Sequence, residues 1–142
     1  VYFGDEGIFA GLSAGKITID MTTSTPALAI RISERARELG AQSLDAPVSG
    51  GDLGAKNGTL TVMVGGEATA YETVLPLFET FSGSVNLFGS AGSGQHTKMV
   101  NQIMVAGTMT GMTEMLVYAK AAGLKLEDVI KTVLWVIMYL VF

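Results

Sequence analysis

Cysteine is absent from the 142-residue chain, which removes disulfides, thiolate nucleophiles and sulfur-ligated metals together. The single histidine, His96, cannot build a ligand cluster, and no carboxylates stand near it at ligand spacing. No metal site is therefore expected. Basic residues are few: nine Lys plus Arg, scattered along a chain of formal charge −4, offer no positive stripe. Phosphate backbones require one, so nucleic acid is excluded as a partner. No apolar run approaches the roughly 20 residues of a membrane span, and no charged leader with a small-residue cleavage site is visible. The expectation is a cytoplasmic protein with no membrane partner. What is present, 49% apolar against 15% charged residues with 18 glycines, describes a globular chain long enough for one buried core.

Strand and helix signals alternate, which points to the α/β class. Ile17 to Met21, Ser43 to Val48, Leu60 to Val64 and Val85 to Gly89 are short, β-branched or apolar, and bounded by turn residues. Between them, the segment from Thr25 to Leu39 has a capping threonine, Pro26 at the first helical position and Gly40 just past its end. Leu28, Ile32, Ala36 and Leu39 recur at helical spacing and define its packing face. A second helix is expected from about Glu67 to Phe81, kinked or restarted at Pro76. After the glycine-rich stretch Gly89 to Gly94, a run from Gln95 to Ala122 carries no break. As a helix it would measure about 42 Å. Its lack of a polar face predicts burial on several sides, with a partner subunit as one candidate, and its methionines (99, 104, 109, 112 and 115) read as core filler. A further helix opens at Leu126 with Glu127 and Asp128 in its first turn.

Three polar clusters could carry chemistry. Asp20-Met-Thr-Thr-Ser-Thr-Pro26 follows a strand, where ligands of parallel sheets gather. It also fits an ordinary strand-to-helix loop with an N-cap. Ser49-Gly50-Gly51 lets the backbone approach a ligand and presents N–H groups and a hydroxyl to a carboxylate, unless it is merely a flexible loop. Lys98, with Asn101 and Gln102 about one turn later, places an ammonium beside amides. Lysine is costly to bury, yet this one sits early in an apolar helix; a snorkelling surface lysine is the alternative. His96 has no carboxylate placed to orient it and reads as a surface residue. Gly89, Gly92 and Gly94 spell a dinucleotide fingerprint backwards, without its strand-turn-helix context, and carry no weight.

Two of these stretches, DAPVSGGDLGAKNGTLTVMVGG (Asp45 to Gly66) and GSGQHTKMVNQ (Gly92 to Gln102), resemble the substrate-binding signature and the catalytic-lysine helix of the β-hydroxyacid dehydrogenases. The resemblance extends from about Gly4 to Val133. It implies the C-terminal half of a Rossmann-like domain (1–91), a long interdomain helix and the start of an all-helical domain (92–142). It implies NAD or NADP as cofactor and a small hydroxy acid or aldehyde acid as substrate, of the 3-hydroxyisobutyrate or tartronate semialdehyde type. Thr23 falls where the family meets the nicotinamide side of the cofactor. Ser49, Gly50 and Gly51 fall where substrate carboxylate and hydroxyl are held, with Asn101 and Gln102 as further substrate contacts. Lys98 matches the catalytic lysine. Gln102 stands where many members carry Asn, which lengthens that arm.

The family opens with a G-x-G-x-x-G unit, which this sequence does not contain, and its helical domain completes the pocket and forms homo-oligomers. The chain is therefore expected to be truncated at both ends, with an atypical apolar tail over 134–142, and to be inactive by itself. A non-catalytic binding or scaffold module built on the same fold is the competing expectation.

Overall fold

A computed structural model describes residues 1–141, with side chains described as far as Val133. Eleven elements follow in order: α1 (Ile8–Gly11), β1 (Ile17–Asp20), α2 (Pro26–Glu38), β2 (Gln42–Asp45), β3 (Val48–Ser49), α3 (Gly51–Asn57), β4 (Leu60–Val64), α4 (Ala68–Phe78), β5 (Ser82–Leu87), α5 (Ser93–Ala121) and α6 (Leu126–Val141). The described chain divides into two compact units, Val1–Asn101 and one beginning at Gln102.

In the first unit β1 pairs parallel with β2, and β4 pairs antiparallel with β3 and parallel with β5. An isolated bridge between Asp45 and Gly65 joins the two sheets. The strand expected over Ser43 to Val48 is in fact two pieces. Pro47 has no N–H for a ladder and its carbonyl accepts from Met63 N–H, so the chain leaves β2 at Asp45 and re-enters a sheet as β3. Strand β5 also begins three residues earlier than Val85, at Ser82, over small polar residues that carry little strand signal.

Helix α2 starts as expected: Thr25 Oγ1 accepts from Leu28 N–H and Pro26 occupies the first turn. Its buried face is Ala29, Ile32, Ser33 and Ala36; Leu28 and Leu39 are only half-buried. Helix α4 runs through Pro76 and stops two residues later, at Phe78. The core gathers Leu44, Ala46, Val62, Val64, Ala70 and Phe78, with Tyr71, Val74, Phe81 and Val85 packed against it. Two further short helices, α1 and α3, occupy stretches that carry no helical periodicity in the sequence. The glycines of α3 mask its pattern, although Asp52 stands in its first turn and Lys56 in its last.

The second unit consists of the remainder of α5, the turn at Gly123 and α6. Helix α5 is 29 residues long, and α6 continues past Val133 to Val141; the character of the 134–142 tail lies outside the described side chains. The methionines of α5 are not core filler, contrary to the expectation from their number. Met99, Met104, Met109 and Met112 are all exposed, and only Met115 is half-buried. The physical reason is geometric: α5 is apolar on all sides, whereas a neighbouring helix can cover only one stripe. Within this unit that stripe includes Met112, Met115 and Leu116, which line an apolar groove with Ile130 and Val133. No described helix is long and apolar enough to cross a membrane.

Candidate active site

The N-terminal turns of α5 are fixed by a buried acid. Asp45, at the end of β2, accepts Gly92 N–H on one carboxylate oxygen at 2.8 Å and Gln95 N–H on the other at 2.9 Å. A carboxylate at a helix N-terminus is favoured by both the orphan N–H groups and the helix dipole. The approach is close enough to demand glycine: a Cβ at Gly94 would stand 2.5 Å from the carbonyl oxygens of Asp45 and Met63. The strand end therefore sets where the helix begins and which way its first side chains project.

Three residues after Gln95, the side chain of Lys98 reaches across to β3. Its amine donates to Ser49 Oγ at 2.8 Å, and Ser49 Oγ in turn donates to Asn101 Oδ1 at 2.6 Å. An amide oxygen has no proton to give, so the serine hydrogen is committed to Asn101 and the serine lone pairs face the lysine. Lys98 is only 8% exposed. Among the described residues the ion pairs are Arg35–Glu38 and Lys56–Asp52, both elsewhere, so no carboxylate offsets the burial. Loss of hydration therefore lowers the Lys98 pKa below the ordinary lysine value.

Gly50 and Gly51 follow Ser49 with φ of +128° and +62°, conformations that side-chain-bearing residues rarely adopt. They turn the chain from β3 into α3, whose first-turn N–H groups lack intrahelical acceptors. Thr23 lies in the loop after β1 and is exposed. The residues on either side of it are held: Asp20 Oδ1 accepts from Thr22 N–H and Thr22 Oγ1, and the Gln95 amide accepts from Ser24 N–H and donates to the Thr22 carbonyl. Ser49, Lys98 and Asn101 are thus brought together, and Thr23 is presented on a loop fastened to the same helix. Gln102 is exposed and lies in the second unit. His96 is exposed. Sequence reasoning missed Gln95 and gave Asp45 no role; their partners lie 71, 73, 47 and 50 residues away along the chain, and no local pattern reports such pairings.

Comparison with known proteins adds the family. Residues 1–89 match the model of the NAD binding domain of 6-phosphogluconate dehydrogenase, and residues 92–134 match that of the NAD-binding domain of NADP-dependent 3-hydroxyisobutyrate dehydrogenase. The chain is 51% identical over 133 residues to the uncharacterised oxidoreductase YkwC of Bacillus subtilis, covering 94% of this chain and 46% of that protein. It is 42% identical over 123 residues to 2-hydroxy-3-oxopropionate reductase of Escherichia coli, covering 87% and 42%. Among solved structures, 3-hydroxyisobutyrate dehydrogenase of Mycobacterium tuberculosis with L-serine superposes with a TM-score of 0.78 at 34% identity, over 88% of this chain and 44% of that one. The chain spans somewhat under half the length of these relatives. By the models that match it along most of its length, the chain belongs to the β-hydroxyacid dehydrogenase family of NAD- or NADP-dependent oxidoreductases.

Proposed function

We propose that this chain carries the proton-transfer and substrate-holding groups of an enzyme that interconverts a small 3-hydroxy acid and its aldehyde acid. The reading extends to a division of labour in which 1–91 belongs to the dinucleotide-binding domain and 92–142 opens the helical domain, and to homo-oligomers of the whole protein. One observation carries it: a buried lysine amine, without a carboxylate partner, lies 2.8 Å from the Ser49 hydroxyl. A lysine that served only stability would gain nothing from such a position, because burial disfavours its charged form.

The residues fit the nicotinamide end of the cofactor. Thr23 offers an exposed hydroxyl beyond the carboxyl end of β1, where ligands of parallel sheets bind, and its loop is secured on both sides. When bound, the cofactor supplies a hydride in reduction or takes one in oxidation. Lys98 does the complementary work. Negative charge develops on the carbonyl oxygen during reduction; the ammonium stabilises it and transfers one proton, leaving a neutral amine and the alcohol. In oxidation the neutral amine takes the hydroxyl proton. A lowered lysine pKa suits both directions: it makes the proton easier to give in reduction and leaves more of the neutral amine to accept one in oxidation. Ser49 holds the amine in place through its lone pairs, and its orientation is set by Asn101. The N–H groups that open α3 beside Gly50 and Gly51 suit the substrate carboxylate. Relatives named for 2-hydroxy-3-oxopropionate reduction and for 3-hydroxyisobutyrate, the latter seen with L-serine, support a short acid with oxygen on its third carbon.

The test is NADH or NADPH consumption with tartronate semialdehyde, in a protein containing this chain. Lys98→Ala is expected to lower the rate by about 10² to 10⁴. Unchanged turnover in that variant would remove Lys98 from the mechanism.

A further inference from the structure

The geometry points to Gln95 as a positioning residue that aligns the Thr23 loop with the proton-donating turn of α5. The inference rests on the roles given above to Thr23 and Lys98. Gln95 is 2% exposed, and all the polar groups of its side chain are engaged with one loop: Oε1 accepts from Ser24 N–H at 3.0 Å and Nε2 donates to the Thr22 carbonyl at 2.8 Å. Its own backbone N–H is held by Asp45 at 2.9 Å. The side chain therefore grips the residue before Thr23 and the residue after it from a point whose place is already fixed. Lys98 projects from the same helix three residues on, on the neighbouring stretch of the same face.

The chemistry of the side chain is selective. Among side chains of this length that are neutral in water at pH 7, only a primary amide donates and accepts at once. Glutamate could accept from Ser24 but, ionised, could not donate to Thr22. Methionine has similar length and can do neither. Asparagine is one methylene short. Neither Ser24 nor Thr22 lies in a sheet ladder, so these two bonds contribute nothing to strand register. Their effect is to fix the distance between the loop that presents Thr23 and the turn that presents Lys98. Hydride and proton transfers to one small substrate require such alignment, and misplacement by about 1 Å can cost about 10² in rate.

The experiment uses the 142-residue chain and its Gln95→Met and Gln95→Glu variants, followed by NMR. In Gln95→Met the Ser24 amide is expected to exchange about tenfold faster or more, while the Lys98 and Asn101 amides keep their wild-type rates. In Gln95→Glu the Ser24 amide keeps its acceptor and stays within about threefold of wild type, whereas the Thr22 carbonyl resonance moves in both variants. NADH is then titrated at up to millimolar concentration. It is expected to shift the Thr23 amide resonance, with half-saturation raised by about fivefold or more in Gln95→Met and by less in Gln95→Glu. Unchanged Ser24 exchange in Gln95→Met, or equal half-saturation in all three proteins, would overturn the inference; a wild-type Thr23 resonance indifferent to NADH would instead overturn the cofactor role of Thr23, with Ser24 exchange still deciding the part played by Gln95. Should Gln95→Met fail to fold, Gln95→Glu decides at a pH where NMR shows the introduced carboxyl ionised: a stationary Thr22 carbonyl with half-saturation within about twofold of wild type overturns it. None of these readouts depends on turnover. Full turnover in Lys98→Ala would sink the proposed function and leave them as they are.

Discussion

Phe78, Ile32 and Leu44 in the Val1–Asn101 unit are almost wholly buried, whereas Ile103, Met104 and Tyr118, in the unit that starts at Gln102, are each more than half exposed. The second region has the more apolar sequence, yet among its described side chains it buries less of it. The first closes a core between sheet and helices, and its polar site is closed as well, with Asp45, Gln95, Lys98, Ser49 and Asn101 bonded to one another or to backbone. The second unit, among its described side chains, has one apolar seam between α5 and α6. The lesson is that the candidate chemistry depends on the self-contained packing of the first unit.

That contrast can be broken by mutation. Phe78→Ala should cost about 3–5 kcal/mol in chemical denaturation, because a large side chain 1% exposed leaves a cavity; a cost under 1 kcal/mol would mean the core is loose. Asp45→Asn should cost about 1–3 kcal/mol, since an amide can accept with only one of its two positions and leaves either Gly92 or Gln95 N–H unsatisfied. It should also quicken amide exchange at the start of α5, and equal protection in both proteins would count against the cap. At the weak end, Ile103→Gln should change stability by no more than about 0.5 kcal/mol, as the side chain is 67% exposed. A cost of core size there would show that the second unit is covered in solution, and would erase the difference between the regions.

Much of this was legible in the sequence, for identifiable reasons. Thr25, Pro26 and Gly40 announce α2 through local chemistry, and the Ser49 and Lys98 stretches are specific enough to suggest the family. Pro47 was the clue to the divided strand, but its effect depends on Met63 supplying the N–H from β4, a tertiary fact. The short helix α3 was hidden because Gly51 and Gly54 look like loop. Gln95 and Asp45 carry no periodic or motif signal for the work they do; only the fold brings a strand end, a loop and a helix start together. The hydrogen bond from Ser49 to Asn101 likewise depends on the fold, which brings β3 and the start of α5 together.

The most direct test of the central claim is titration of the Lys98 side chain by NMR, with thermal stability of wild type and Lys98→Met measured over the same pH range. Burial lowers the folded-state pKa below 10.5, so between that folded value and 10.5 the unfolded chain binds more protons than the folded one. Wild-type stability should then rise with pH across that window relative to Lys98→Met, and at neutral pH the variant should be the more stable, having lost a buried charge. A Lys98 amine that titrates at or above 10.5, with no change in relative stability, would contradict the account of a desolvated proton donor held against Ser49.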